Sequence, residues 1–218
     1  SLIFLYNYVP GHDFGIAIIL LTLIIKIVMY PLSVKAFRSQ MALARLQPQI
    51  QELQKKYKDD KEQQTRATLD LYKTEKINPF STLFLTLIQL PILIALYQVF
   101  WNGLKPQELL NLYSFVANPG QINSLFLGMV DLAKPSLIFA VIAGITQFFQ
   151  AKMLLPKSTD KKAGDMAGMM QKQMTYFFPV ITVIILIKLP SALGLYWIVS
   201  GILTMAQQYF LLKRQKKV

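Results

Sequence analysis

The sequence predicts an all-α integral membrane protein with five transmembrane helices and a cytoplasmic helical hairpin after the first of them. Three observations lead there. The chain of 218 residues is 54% hydrophobic with a mean hydropathy of +0.40, more apolar material than a soluble domain of this length needs. Several apolar runs approach the roughly 20 residues that one bilayer crossing takes. The positive charge is concentrated in alternate connections between those runs.

Residues 1–13 read as an extracytoplasmic or interfacial lead-in, and the first span is Phe14 to Leu32. Residues 33–78 form the predicted hairpin. Within it Leu43, Leu46, Ile50, Leu53 and Tyr57 recur at intervals of three and four, which is a helical apolar seam. Pro48 lies inside that seam and predicts a kink, or a break that puts Pro48 in a first turn. Lys58-Asp59-Asp60-Lys61 predicts a turn, and Thr65, Leu69 and Tyr72 mark a shorter second helix. A connection that merely joins two spans needs neither this length nor a repeating seam.

The second span is 79–101, its apolar part Phe80 to Trp101 opened by Asn78-Pro79. Residues 102–135 form an outer loop, with a short interfacial helix at Glu108 to Val116 and a turn at Asn118-Pro119-Gly120. The third span, Ser136 to Ala151, follows Pro135. It is only roughly 24 Å long at 1.5 Å per residue, shorter than a ~30 Å hydrocarbon core. Bilayer thinning or snorkelling of Lys152 relieves such a mismatch. Residues 152–173 are a cytoplasmic loop rich in Gly, Lys and Asp. The fourth span, 174–189, and the fifth, 192–212, are joined by a tight turn at Lys188-Leu189-Pro190-Ser191. A basic tail, 213–218, ends the chain. The chain begins at Ser1 without a methionine or a signal-peptide pattern and reads as a fragment of a longer protein.

The net charge of +12 raises the question of nucleic acid. Outside the spans, residues 33–79, 152–173 and the tail together hold nineteen Lys and Arg, whereas the intervening segments hold three. By the positive-inside rule the N-terminus is outside and the C-terminus cytoplasmic. The charge therefore follows topology, and no DNA partner is expected. A basic cytoplasmic face would still attract anionic lipid or ribosomal RNA.

Enzymatic chemistry finds little purchase. Cysteine is absent, which excludes disulfides, thiolate catalysis and cysteine metal sites. All 11 carboxylates lie outside the spans, and the single histidine, His12, sits at the edge of the first. No HExxH pair, GxSxG elbow or phosphate-cradling glycine loop occurs. No catalytic residue, metal or cofactor is expected.

The spans carry uncharged polarity instead. In the first, Thr22, Lys26, Tyr30 and Ser33 are spaced to share one helix face. The second has Thr82, Thr86, Gln89 and Tyr97; the third Thr146, Gln147 and Gln150; the fourth Thr175 and Thr182. The fifth has Trp197, Ser200, Thr204, Gln207 and Gln208. Any one stripe alone reads as interhelical hydrogen bonding, worth roughly 0.6–2 kcal/mol per contact. Five stripes together with one cation favour a hydrated internal cavity. Lys26 costs about 2.5–3.5 kcal/mol at mid-span, and either it snorkels to the cytoplasmic interface or it faces that cavity. The face it shares with Thr22 and Tyr30 favours the second. No acid in any span can pair with it.

At this point the stretches "KIVMYPLSVKAFRSQMALARLQPQIQELQKKY", "LYKTEKINPF", "LIQLPILIALYQVF", "FLGMVDLAKPS" and "LPSALGLYWIVSGILTMAQQYFL" matter together. In this order they resemble the conserved core of the YidC/Oxa/Alb family of membrane protein insertases, with the bacterial members most similar. The resemblance implies five core helices around a hydrophilic groove open to cytoplasm and lipid but closed outside. It implies that Lys26 is the groove cation, where the family usually has arginine, and that Trp197 is a groove aromatic and Gln147 a polar groove residue. The candidate groove residues are Lys26, Thr22, Tyr30, Gln89, Gln147, Trp197, Ser200 and Thr204. Implied partners are nascent membrane proteins as substrates, the lipid bilayer, the Sec translocon and the ribosome, and the implied location is the bacterial inner membrane. The extracytoplasmic domain that precedes the core in many Gram-negative members, and their first transmembrane segment, have no counterpart here. A small-solute transporter or anion-selective channel using Lys26 as its binding cation is the alternative, and a scaffold whose stripes serve only packing is a third reading. The absence of coupling carboxylates and of an evident inverted repeat weighs against transport.

Overall fold

The structure is a computed structural model and describes residues 2–78, 91–100, 116–120, 122–153 and 173–215. Residues 108–115 of the expected interfacial helix, most of the loop at 152–173, and Gln89 with the first part of the second span lie outside the described residues.

A short helix, α1 (Leu2–Tyr8), and a turn at Pro10–His12 lead into α2 (Phe14–Val28). Asp13 opens α2 as its N-cap, accepting from the Ile16 N–H at 3.0 Å. The helix ends at Val28, four residues before the end of the apolar run. Pro31 supplies the reason: it has no N–H to donate to Ile27, and in a continuing helix its ring would strike that carbonyl. The chain bends by 67° between α2 and α3 (Tyr30–Lys56).

Helix α3 runs unbroken through Pro48. Pro48 is exposed, while Leu46 and Ile50 on either side of it are buried, so the lost backbone bond falls on the water side and the apolar seam holds the helix together. Helix α4 (Lys61–Thr74) folds back on α3, capped by Asp60, which accepts from the Gln63 N–H at 3.0 Å. Gln64 Nε2 donates to the Gln54 carbonyl across the two helices at 3.2 Å.

Among the described residues four further helices follow: α5 (Pro91–Phe100), α6 (Leu137–Met153), α7 (Phe178–Leu186) and α8 (Ser191–Gln215). One π-helical turn, Gln173–Phe177, leads into α7. Between α5 and α6 lies a two-stranded antiparallel hairpin, β1 (Leu125–Phe126) and β2 (Val130–Asp131), in register Leu125 to Asp131 and Phe126 to Val130.

Helix α6 is the centre of the packing, lying against α7 on one side and α8 on another, while α8 also packs on α2. Glycines permit the close approach. A Cβ at Gly144 would meet Val183 Cγ2 at 2.4 Å, and one at Gly201 would meet Thr146 Cγ2 at 2.6 Å. Small residues at helix crossings are how bundles in lipid gain contact. The outward faces are apolar: Ile138, Val141, Ile142, Ile145 and Phe149 form an exposed stripe on α6, and Val180, Ile184 and Ile185 continue it on α7. Exposed apolar surface of this kind marks a membrane or protein contact face. Ser191–Lys213 is long and apolar enough to cross one, and the bent pair α2–α3 passes the same test together.

The buried core sits at one end of this bundle. Phe14, Ala17 and Ile18 of α2, Leu96 and Phe100 of α5, Ala140 and Ala143 of α6, and Ala192, Leu193 and Tyr196 of α8 gather there with Leu132 beside the hairpin. Phe14 and Phe100 meet edge to face with centroids 6.0 Å apart. The hairpin closes this end by backbone bonds. The Ser191 N–H donates to the Lys134 carbonyl at 2.9 Å, and the Ala192 N–H to the Leu132 carbonyl at 3.1 Å, tying the first turn of α8 to the loop. The far halves of α2 and α8 contribute little to this core.

Candidate functional site

Beyond the core, residues of α2 and α8 line a common space. A cavity of about 260 Å³ opens between them, lined by Leu23, Lys26, Ile27, Tyr30, Leu203 and Gln207. A second space of about 200 Å³ adjoins it through Tyr30 and Gln207. The periodicity of the two helices explains the lining. Leu23, Lys26 and Ile27 are one turn of α2, Leu203 and Gln207 one turn of α8, and Tyr30 begins α3 beyond the bend.

Lys26 reaches across this gap. Its Nζ donates to Thr204 Oγ1 at 2.8 Å, and the Thr204 hydroxyl in turn donates to the Ser200 carbonyl at 2.7 Å. The ammonium thus ends a short relay into the α8 backbone. Among the described residues no carboxylate lies within ion-pair distance of Lys26. An ammonium has three protons to donate, and Thr204 takes one. The rest of the lining is largely apolar, so few other protein groups compete with the ammonium for a negative group entering here.

Thr22 shares the Lys26 face but is 1% exposed, and its hydroxyl donates to the Ile18 carbonyl of its own helix at 2.7 Å. Ser200 is buried, with its carbonyl engaged by Thr204. Trp197 is half-buried and packs against the apolar core. Gln147 is half-buried on α6 and is not among the residues lining either space. The structure therefore brings together Lys26, Tyr30 and Thr204, sets Thr22 and Ser200 behind them, and leaves Gln147 and Trp197 in the helix packing.

Gln207, part of the fifth span's polar stripe but not of the candidate groove set, lines both spaces. Its spacing of three from Thr204 was the available signal. Gln207 Nε2, Gln208 Oε1 and Gln147 Oε1 are buried without a hydrogen-bond partner among the described residues. An unsatisfied buried amide costs roughly 1–3 kcal/mol, so these groups favour any polar occupant that reaches them. Among the described residues no three His, Asp or Glu side chains gather in a way that could hold a metal ion.

Fold and site define a class: a helical protein with apolar outward faces suited to a membrane and a lysine ammonium beside a cavity between two of its helices. The comparisons with known proteins are specific. The family described as 60Kd inner membrane protein matches residues 4–218. A membrane protein insertase YidC of Clostridium tetani is 35% identical over 208 residues, covering 95% of this chain and 86% of its own length. One from Fusobacterium nucleatum is 32% identical over 215 residues, covering 98% and 94%. The crystal structure of an active YidC insertase with its first transmembrane domain resolved matches with a TM-score of 0.61 at 30% identity, over 92% of this chain and 42% of that one. The chain belongs to the YidC family of membrane protein insertases.

Proposed function

We propose that this chain inserts nascent membrane proteins through the space between α2 and α8, with Lys26 as the transient counter-charge. The carrying observation is the Lys26 ammonium, held by Thr204 at the lip of the cavity with protons still to donate. A short, often acidic extracytoplasmic segment of the substrate enters from the cytoplasmic side. The ammonium attracts its carboxylates, and Gln207 and water solvate its backbone. The packed core and the hairpin form the outer closure, so the polar segment crosses a shortened apolar distance. The substrate's apolar helix leaves sideways into lipid, and its burial provides the driving force at about 25 cal/mol per Å². Nucleotide hydrolysis is not required. In this reading the N-terminus is outside and the C-terminus cytoplasmic. The hairpin of α3 and α4 captures substrate or meets the Sec translocon or the ribosome.

Reconstitution in liposomes tests this. The protein alone should insert a single-span test protein with an acidic tail without nucleotide. Lys26→Arg should retain most of that activity, Lys26→Ala lose much of it and Lys26→Glu nearly all. Full insertion by the Lys26→Glu protein would overturn charge attraction. Transport of a small solute without insertion would overturn the whole reading.

A further inference from the structure

The β-hairpin carries apolar side chains where a turn facing water would not. Its inward residues are accounted for. Phe126 fills the notch at Gly15, where a Cβ would stand 2.0 Å from Phe126 Cδ2, and Val130 packs on the core. The outward residues are Leu125 at 38% exposure, Leu127 at 57% and Met129 at 78%. An antiparallel pair with one face in water places polar side chains on that face. Leu127 is disfavoured a second time by its backbone: φ is 51°, in the left-handed region that Gly, Asn and Asp tolerate best. A leucine held there against both backbone preference and hydration needs an apolar surrounding.

The depth of the tip is fixed by a hydrogen bond. The Leu127 N–H donates to Asp13 Oδ2 at 2.6 Å, and Asp13 is the N-cap of α2. The tip therefore lies level with the first turn of α2, and the start of an apolar helix that spans a bilayer falls at the boundary between hydrocarbon and headgroups. Phe4 and Tyr8 of α1, at the same end of α2, are exposed and have ring centroids 4.7 Å apart, in keeping with aromatic side chains at that boundary. The base of the hairpin is polar: Ser124 and Lys134 both engage Asp131, and Lys134 is exposed. Polarity thus falls from base to tip over a few residues.

We propose that Leu125, Leu127 and Met129 form a shallow membrane anchor that dips into the lipid at the hairpin end and holds that end of the bundle at a set depth. The tip carries no charge, so its recognition of lipid is apolar and indifferent to headgroup charge. The inference rests on the membrane setting of the helices and not on the insertase mechanism.

The absence of cysteine allows a clean test in the full chain. Leu127→Cys and Met129→Cys, each carrying an environment-sensitive fluorophore, would be reconstituted in phosphatidylcholine vesicles, with and without phosphatidylglycerol. Asp59→Cys on the exposed turn before α4 serves as the aqueous reference. Emission from both tip positions should shift to the blue relative to position 59. It should be quenched by a shallow lipid-borne quencher, resist acrylamide, and be the same in both vesicle types. Acrylamide quenching equal to that at position 59 would overturn the proposal. Protection from both quenchers would also overturn it, because protein and not lipid would then cover the tip. Using two tip positions guards against a single label that disturbs the turn.

Discussion

The Lys26 ammonium and the Thr204 hydroxyl meet at 2.8 Å across 178 residues of chain. This one bond joins the fifth predicted span to the first at the edge of the cavity, and it gives lysine a fixed position where a guanidinium would have its own rigid fork.

Removing the hydroxyl should release the ammonium. Thr204→Val keeps the shape but removes the acceptor for Lys26 and the donor to Ser200. A hydrogen bond to a charged group is worth about 1.5–3 kcal/mol, so insertion of an acidic-tailed substrate should fall roughly tenfold or more. Thr204→Ser should stay close to the parent. Equal activity of the two variants in reconstituted vesicles would show that the bond has no part in positioning.

Helix packing around α6 should be sensitive at a single atom. Gly144→Ala places a methyl 2.4 Å from Val183 Cγ2 and 3.2 Å from the Pro179 carbonyl oxygen. Overpacking of this kind costs about 1–3 kcal/mol. The variant should unfold at lower temperature in detergent. Adding Val183→Ala should recover part of the loss, because it removes the nearer of the two contacts.

Asp13 uses its two oxygens for different tasks, which a single substitution separates. Oδ1 caps α2 through Ile16, and Oδ2 accepts from Leu127. In Asp13→Asn the remaining oxygen can keep the cap, but the amide nitrogen cannot accept from Leu127. Amide exchange should quicken at Leu127 and stay slow at Ile16. Equal acceleration at both sites would mean the two bonds are not separable.

Acid should loosen the base of the hairpin. The Ser124 hydroxyl, at 2.6 Å, leads in holding the Asp131 carboxyl below its ordinary value of 3.8, with further help from Lys134 and the Ala133 N–H against a smaller opposing effect of burial. A depressed folded pKa means the stabilisation is complete above the unfolded value and is lost as pH falls through the folded one. Protection of the Leu132 amide, which bonds the Ser124 carbonyl, should therefore fall only below about pH 4. Ser124→Ala should move that loss to higher pH, and an unchanged profile would count against the assignment.

Several features were legible in the chain because they are local. Whether a residue prefers lipid or water depends on that residue, so hydropathy and the alternation of Lys and Arg between connections needed no coordinates. The seam from Leu43 to Tyr57 is a matter of period, and the five quoted stretches carried the family. Local rules also misjudged their own strength. Pro48 did not interrupt α3, because buried Leu46 and Ile50 hold the helix on its other face. Pro31, inside an apolar run, did end α2 and turn the chain by 67°.

What only the tertiary structure decided is which polar groups meet. Thr22 and Lys26 share a face, yet one is sealed against its own helix and the other crosses to α8. Gln147 and Trp197 lie in the packing, while Gln207 lines the cavity. Such pairings depend on crossing angles set by small contacts at Gly144, Gly201 and the hairpin, and no spacing along a single helix contains them. Sequence alone therefore carried the family of the chain and its largely helical, apolar character. The partner of Lys26, and the end at which the bundle closes, followed from how the helices pack.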